Sequence, residues 1–233
     1  MSGAKAHGRA TLANRYEDAD SLDYFPSAPW MGRSIGEVLN RLGLPLGSLA
    51  EDPAMGEGHL LHGMADVWPR VQGFDVWPHK ARGGLPDPVL RDYLAPFAEC
   101  GPLPDWTVMN SPFGDKTSPF IRKACARSRI GVAALLQLRL MEGPNRYGLF
   151  HECGLYATAV VPRKRAGLRK GVWVPNQSTA TGYAWFIFVR PDVVPGWVGF
   201  TGEARQVWID PEAGDRLTCK SDMVFAGLRQ VAA

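Results

Sequence analysis

Apolar residues recur along this chain with two spacings, one typical of helices and one typical of strands. Apolar positions with helical spacing predict helices over 30–42, 59–68 and 119–129. Shorter apolar runs predict strands, and the run 131–140 is nearly continuous, as expected for a strand buried on both faces of a sheet. The predicted strands span 46–52, 70–75, 89–94, 106–109, 131–140, 155–161, 184–189 and 206–209. Strands that alternate with helices predict an α/β fold in which helices cover both faces of the sheet.

The composition fits one globular domain. The chain has 233 residues, of which 45% are hydrophobic and 21% are charged, a balance typical of ordinary soluble domains. No apolar run reaches the ~18 residues of a membrane span. Residues 1–20 are predicted to form a flexible tail and residues 21–233 a single domain. The first residues lack the apolar core of a secretory signal, which predicts a cytoplasmic protein.

Cysteine usage and net charge set two further expectations. Cys100, Cys125, Cys153 and Cys219 are widely spaced and form no C-x-x-C pair. We therefore expect reduced thiols and no metal site, rather than a disulfide framework or a zinc site.

The formal net charge is +3, which permits nucleic-acid binding without demonstrating it, because a local basic patch matters more than the total.

Polar side chains lie at or just beyond the ends of four predicted strands. They are Asp52, Asp75, Asp92 and Asn110. In α/β sheets, ligands bind outside the carboxyl ends of the strands. We therefore expect these four side chains to gather at one rim of the sheet and to form a binding site there.

The first of these strand ends carries the sequence D-P-A-M-G-E-G at 52–58. Gly56 and Gly58 permit a tight bend and a close approach of the backbone to a ligand, while Asp52 can accept hydrogen bonds from ligand hydroxyl or amine groups. The string differs from the nicotinamide fingerprint G-x-G-x-x-G, whose third glycine is a leucine here, and from a P-loop, because no G-K-[ST] follows. We interpret it as a cofactor-binding turn, with Asp75 placed to bind ribose hydroxyls. The alternatives are an ordinary strand–helix turn and a solvated acid.

The fourth strand end, Asn110-Ser111-Pro112-Phe113, is the candidate for chemistry. An exocyclic amine on a nucleobase is a poor nucleophile, because its lone pair is delocalised into the ring. Acceptors aimed at the N–H groups localise that lone pair and stabilise the positive charge that develops during attack. The Asn110 side-chain oxygen and the Ser111 carbonyl suit this role, and Phe113 suits stacking on a base turned out of its duplex. The alternative is a strand followed by an Asn-initiated turn.

A basic loop lies between the predicted strands 155–161 and 184–189. Its cationic residues are Arg163, Lys164, Arg165, Arg169 and Lys170. A position beyond a strand end suits phosphate contacts, so this loop is a candidate nucleic-acid contact. The alternative is a solvated hairpin tip.

Five segments taken together resemble a known enzyme family. They are Ala28-Pro29-Trp30 before a helix, D-P-A-M-G-E-G-H at 52–59, Asp75 after the second strand, D-W-T-V-M-N-S-P-F at 105–113, and Tyr183-Ala184-Trp185-Phe186. This set is similar to the class I S-adenosylmethionine (SAM)-dependent methyltransferases, in particular to small phage and prophage adenine-specific DNA methyltransferases. The resemblance covers about residues 24–190, and the strings at 52–59 and 105–113 are its most specific parts.

The resemblance implies a Rossmann-like methyltransferase fold with a mostly parallel sheet and an antiparallel C-terminal edge, SAM as cofactor, and DNA or RNA as partner. It implies a target-base pocket formed by Asn110, Ser111, Pro112 and Phe113. The implied cofactor-binding residues are Pro29 and Trp30 as a cover, Asp52, Ala54 and Gly56 on the methionine side with Gly58 in the same turn, Asp75 at the ribose, and Asp92 with Tyr93 at the adenine.

The chain departs from the family pattern at one position of the target-base pocket. The first proline of the family's N-P-P-F is Ser111 here, and serine keeps the carbonyl but loses the ring that fixes φ.

Methylation of adenine N6 in DNA is the favoured activity. The alternatives are cytosine N4, an acceptor in RNA, protein or a small molecule, and a catalytically weakened nucleic-acid-binding relic. Sequence specificity would come from the loops at 77–88, 114–119 and 141–182, of which about 77–88 and 141–182 are predicted insertions.

Overall fold

A computed structural model of the chain describes residues 24–95, 101–164, 168–169, 171–175, 177–178 and 180–227. The predicted tail at 1–20 lies outside these residues. The helices are α1 (Pro29–Arg41), α2 (His59–Met64), α3 (Thr117–Arg127), α4 (Arg146–Cys153) and α5 (Ala213–Leu217). The strands are β1 (Leu49–Asp52), β2 (Arg70–Asp75), β3 (Val89–Leu90), β4 (Trp106–Met109), β5 (Gly131–Gln137), β6 (Leu155–Val160), β7 (Leu168–Arg169), β8 (Val172–Trp173), β9 (Tyr183–Val189) and β10 (Arg205–Trp208). None of the helices in these ranges has the length and apolarity needed to cross a bilayer.

Eight of these strands form one sheet, in the order β10-β6-β9-β5-β4-β1-β2-β3. Neighbouring strands in it pair in parallel except at β9, which is antiparallel to both β5 and β6. Strands β7 and β8 form a separate antiparallel hairpin. The predicted α/β fold with a mostly parallel sheet is confirmed, and its antiparallel component on the C-terminal side is the single strand β9, inserted between β5 and β6.

The continuous apolar sequence of the central strand β5 explains its burial on both faces of the sheet. All but its last residue are buried, and its side chains alternate between two cores. Ala133 and Leu135 belong to the core that includes α1 and α2, whereas Ala134 and Leu136 belong to the core that includes α3 and α4. The strand predicted at 131–140 ends early, because Leu138–Glu142 form a 3-10 helix.

The insertion predicted at 141–182 is in part regular structure. It contains strand β6, close to the strand predicted at 155–161, and also helix α4. The sequence pattern does not predict α4, because only Leu149 and Phe150 of this helix are buried. Two buried positions are too few to produce the apolar stripe of an amphipathic helix.

Helix α1 packs closely against α2 and fixes where the chain meets the rim of the sheet. A Cβ added at Gly32 would lie 2.6 Å from the Leu60 carbonyl oxygen, and one added at Gly63 would lie 1.8 Å from the Pro29 carbonyl oxygen. No side chain fits between these backbones, so glycine is required at both positions. The first turn of α1 is therefore buried.

Candidate active site

A cavity of about 490 Å³ opens at the carboxyl ends of β1, β2 and β4. Its volume falls within the ~300–1,000 Å³ of small-molecule sites. Strands β1 and β4 are adjacent and parallel, so Asp52 at the end of β1 and Asn110 just beyond β4 reach the same rim. The predicted site residues on its wall are Asp52, Ala54, Asp75, Asp92, Tyr93, Asn110, Ser111, Pro112 and Phe113. The structure thus brings the acidic turn and the amide–proline–aromatic segment together in one cavity.

Pro29 and Trp30, which the resemblance predicts as a cover over the cofactor, do not line the cavity. Trp30 is 0% exposed and belongs to the core that includes α1, because the close packing of α1 on α2 buries the first helical turn. The residues immediately before the helix line the cavity instead, and they are Tyr24, Phe25, Pro26 and Ser27. The sequence signal for this wall is the density of aromatic residues and prolines just ahead of the predicted helix.

Gly56 and Gly58 shape the turn without lining the cavity. Their φ values are +54° and +91°, in the region that favours glycine. A Cβ at Gly56 would lie 2.3 Å from the Tyr24 ring, and one at Gly58 would lie 2.7 Å from the Leu85 side chain. The Gly56 N–H donates to the Asp75 carboxylate at 2.8 Å. In this structure the turn packs on side chains and its Gly56 N–H group holds Asp75, so the predicted cofactor contact of the two glycines stays a prediction.

Asp75 and Asp92 both lie on the cavity wall and both organise local backbone. Asp75 accepts from the Gly56 N–H at 2.8 Å and from the Trp77 N–H at 2.9 Å, one on each carboxylate oxygen. Each of these oxygens has a second acceptor position, so Asp75 can hold the turn and still bind ligand hydroxyls. Asp92 is exposed and accepts from the Leu94 N–H at 2.9 Å.

Asp52 presents a desolvated carboxyl group to the cavity. It is 1% exposed, and its Oδ1 accepts from the Ala54 N–H at 3.1 Å. Burial, with a smaller effect of the nearby Asp75 and Glu51 carboxylates, raises the pKa of Asp52 from 3.8 to about 8. Without a cationic partner the group is therefore largely protonated at neutral pH. A positively charged ligand group would favour its ionised form.

The substitution Asp52→Asn is expected to stabilise the ligand-free protein near neutral pH. The folded protein keeps a proton that the unfolded chain loses above about pH 4, so its stability falls as the pH rises between about 4 and about 8. An amide cannot ionise, and the variant should therefore exceed the parent by at least about 1 kcal/mol near pH 7 and approach it near pH 4. Urea unfolding at these two pH values measures the difference.

Asp92→Asn provides the matched control, because Asp92 lies on the same wall but is exposed. Its stability should change by no more than about 0.5 kcal/mol at either pH. If Asp52→Asn loses stability with rising pH as steeply as the parent does, Asp52 is not protonated in the folded protein near neutral pH.

Asn110 is held in one orientation by the segment that precedes α1. Its Nδ2 donates to the Phe25 carbonyl at 2.8 Å, and a backbone carbonyl can only accept. The amide oxygen Oδ1 therefore points away from that bond, and it is buried with no hydrogen-bond partner among the described residues. The Phe113 ring contacts the Phe25 ring at 5.4 Å in an edge-to-face arrangement, so the same segment also fixes the aromatic part of the wall.

Tyr93 is anchored from behind the cavity wall by a buried ion pair. Its hydroxyl donates to Glu51 Oε1 at 2.9 Å, and the Thr107 hydroxyl donates to the same oxygen at 3.1 Å. Arg127 contacts the other Glu51 oxygen at 3.4 Å, with both charged side chains almost completely buried. Sequence reasoning did not assign Glu51 to the site. The available signal was a second acid beside Asp52 within an apolar strand.

Tyr24 and His59 form a neutral part of the cavity wall. The Tyr24 hydroxyl lies 3.2 Å from His59 Nδ1, and the His59 ring contacts the Phe225 ring at 4.7 Å between centroids. Burial lowers the pKa of His59 to about 3 and raises the pKa of Tyr24 well above its ordinary value. Both groups are therefore uncharged at neutral pH, which suits them to positioning the wall rather than to proton transfer.

The structure describes only part of the basic loop. Lys164 has two carboxylate partners, Glu212 at 2.6 Å and Asp215 at 2.7 Å, whereas Arg163 is exposed. Arg165, Lys170 and the side chain of Arg169 lie outside the described residues. The β7–β8 hairpin nevertheless lies beside the cavity, because the Gly171 N–H at its turn donates to the Tyr24 carbonyl at 2.8 Å.

Comparison with solved structures gives information on the fold alone. No protein-family model and no curated protein matches the chain. Among solved structures, the methyltransferase subunit of a type I restriction-modification system from Streptococcus thermophilus has a TM-score of 0.50 at 16% identity, over 72% of this chain and 45% of that chain, so this chain spans less than half of that subunit. A Lactococcus lactis protein proposed to be a hemolysin has a TM-score of 0.49 at 13% identity, over 68% of this chain and 86% of that chain. Magnesium protoporphyrin IX methyltransferase from Synechocystis PCC 6803, solved with bound SAM, has a TM-score of 0.47 at 13% identity, over 70% and 79%. The likeness to the Streptococcus thermophilus subunit, together with the mostly parallel sheet and its one antiparallel strand, shows a Rossmann-like methyltransferase fold.

Proposed function

We propose that this protein transfers a methyl group from SAM to the exocyclic amine of adenine in DNA. The main observation in support of this proposal is that the side-chain oxygen of Asn110 has no hydrogen-bond partner among the described residues. This oxygen, Oδ1, is buried and belongs to a residue that shares one cavity with Asp52. An unpaired buried acceptor costs about 1–3 kcal/mol, and a substrate amine would remove that cost.

The residues of the cavity fit SAM by charge and polarity. SAM would supply an electrophilic methyl group on a sulfonium sulfur, together with an ammonium group at its methionine end. Asp52 would pair with that ammonium group, which favours the ionised carboxylate. Asp75 would accept hydrogen bonds from the ribose hydroxyls. Tyr93 and Leu60, which lie on the same wall, would contact the adenine ring of the cofactor.

The Asn110 segment would prepare the substrate amine for direct attack. The Asn110 Oδ1 and the Ser111 carbonyl would each accept one N–H of the amine, which localises its lone pair and stabilises the positive charge that grows on nitrogen. As the new N–C bond forms, the S–C bond breaks with its electron pair left on sulfur, and the surplus proton of the methylated amine leaves to solvent. The chain contributes proximity and orientation to this step.

The surroundings of the cavity favour a nucleobase as the acceptor. Phe113 and Phe25, 5.4 Å apart between ring centroids, give the wall aromatic surface, and stacking on an aromatic side chain stabilises a bound base by about 1–3 kcal/mol. The Gly171 turn of the hairpin touches Tyr24 of the wall. Arg169, in strand β7, precedes this turn, so phosphate contacts from the basic hairpin would position a DNA strand over the cavity.

DNA incubated with the protein and SAM is expected to gain N6-methyladenine. Mass spectrometry of the hydrolysed nucleosides detects the product, and a calorimetric titration with SAM measures cofactor binding on its own. Methylated cytosine with unmodified adenine would move the target to cytosine N4. SAM binding without any DNA methylation would assign the site to another acceptor, which competition by RNA in a tritiated-methyl assay would reveal, or to a nucleic-acid-binding relic. Absence of SAM binding would refute the proposal altogether.

A further inference from the structure

Three buried polar atoms of the cavity-wall residues have no hydrogen-bond partner among the residues that the structure describes. They are Ser27 Oγ, Asn110 Oδ1 and Ser111 Oγ. The proposed reaction uses the Asn110 oxygen for the amine, but it gives the two hydroxyls no role. A side-chain carbonyl can only accept a hydrogen bond, whereas a hydroxyl can also donate one. The wall therefore offers an acceptor on Asn110 and a donor on the next residue of the chain, Ser111. An amine next to an unprotonated ring nitrogen needs this combination of partners.

We propose that the Ser111 hydroxyl donates a hydrogen bond to N1 of the target adenine, the ring nitrogen next to the amine, and so selects and orients the base. This inference rests on the proposed function of the cavity. An extruded base is recognised through its Watson–Crick edge, which carries the amine and N1 side by side. Ser111 directly follows Asn110 in the chain, so a base whose amine is bound by Asn110 presents N1 to the neighbouring residue.

Two features hold Ser111 in place although it has no proline ring of its own. Pro112 follows it, and the residue before a proline is confined to extended backbone conformations. The Pro112 carbonyl accepts from the Thr117 hydroxyl at 3.0 Å, which ties the segment to the first turn of α3. Ser111 itself is 2% exposed, so bulk water does not compete for its hydroxyl. Serine at this position thus retains a restricted backbone and adds a donor that proline lacks.

The expected contribution of this hydroxyl is alignment and not activation. A hydrogen bond to N1 withdraws electron density from the ring and does not make the amine more nucleophilic. It does fix the base in the plane in which the amine meets the Asn110 oxygen, and correct alignment of reacting groups accelerates transfer. A net hydrogen bond is worth ~0.5–1.5 kcal/mol, so its loss should reduce kcat/KM by up to about tenfold.

The test compares duplex oligonucleotides that differ only in the target base, which is adenine, 1-deazaadenine or 3-deazaadenine. The target base lies opposite an abasic site, so the loss of N1 does not change its pairing. The parent protein should lose up to about tenfold in kcat/KM when 1-deazaadenine replaces adenine, because N1 is then a C–H group. Ser111→Ala should be slower than the parent on adenine by a similar factor, and it should lose nothing further on 1-deazaadenine. Replacement of N3, which lies away from the amine, should affect both proteins by the same factor.

Ser27→Ala is the matched control, because it removes the other unpaired hydroxyl of the same wall. It should stay as sensitive to 1-deazaadenine as the parent, and urea unfolding should show all three proteins equally folded. The inference is overturned if Ser111→Ala loses as much on 1-deazaadenine as the parent does, or if the sensitivity disappears in Ser27→Ala instead. Failure of the proposed function is a separate result, since the parent would then leave ordinary adenine unmodified or fail to bind SAM in the titration.

Discussion

Replacement of Arg127 by alanine is expected to lower the free energy of unfolding by about 3–5 kcal/mol. The side chains of Glu51 and Arg127 are 0% and 1% exposed, and their charged groups lie 3.4 Å apart. Without the guanidinium group, the Glu51 carboxylate would remain inside the sheet with neutral donors, such as the Tyr93 and Thr107 hydroxyls. A buried charge without a countercharge is strongly unfavourable. Equilibrium unfolding in urea measures the loss.

The matched control for this prediction is Arg122→Ala in the same helix. Arg122 pairs with Glu152 at 2.7 Å, but these side chains are 46% and 54% exposed. Solvent screens such a pair, and its removal should cost no more than about 1 kcal/mol. Equal destabilisation by the two substitutions would show that the buried position of the Arg127 pair does not matter. It would also mean that the Glu51–Arg127 pair does not hold Tyr93 in the cavity wall.

The substitution Asn110→Ala is expected to reduce methyl transfer by about 10²–10³-fold while leaving SAM affinity nearly unchanged. Loss of one preorganised group that stabilises developing charge typically has an effect of this size on kcat. SAM affinity should be retained, because the groups proposed to bind the cofactor lie on β1, on β2 and at Tyr93. A tritiated-methyl assay gives the rate, and calorimetric titration gives the affinity.

Asn40→Ala is a suitable control for this experiment, since Asn40 is an exposed residue of α1. Its activity and its SAM affinity should match those of the parent. An Asn110→Ala variant with parental activity would mean that another group accepts from the substrate amine. Parallel loss of activity and SAM affinity would instead place Asn110 in cofactor binding.

The sheet could be anticipated from sequence wherever local pattern decides the outcome. Strand β4 has the predicted bounds, Trp106–Met109, because three of its four residues are apolar, the fourth is the β-branched Thr107, and Asn110-Ser111-Pro112 follows. Helix α4 could not be anticipated in the same way. Its buried residues are adjacent, Leu149 and Phe150, so they carry no helical period, and tertiary packing rather than pattern decides its conformation.

In the candidate site, too, some features could be predicted from the sequence and others depend on tertiary contacts. Asp52 and Asn110 could be placed together in advance, because parallel topology brings the carboxyl ends of neighbouring strands to one rim. The position of Trp30 could not, since it depends on how closely α1 approaches α2. The orientation of the Asn110 amide was equally hidden, because it is set by the Phe25 carbonyl, 85 residues away in sequence. Patterns of neighbouring residues in the sequence do not predict a hydrogen bond between residues so far apart.

The contact between His59 and Phe225 has a consequence for the order in which this protein matures. His59 lines the cavity, and its ring is covered by that of Phe225, 4.7 Å away between centroids. During synthesis, the ribosome exposes Asp52 and Asn110 long before it adds residue 225. Contacts between residues so distant in sequence form late, because a long loop must first close. A nascent chain therefore carries the chemical groups of the site well before it has the finished pocket.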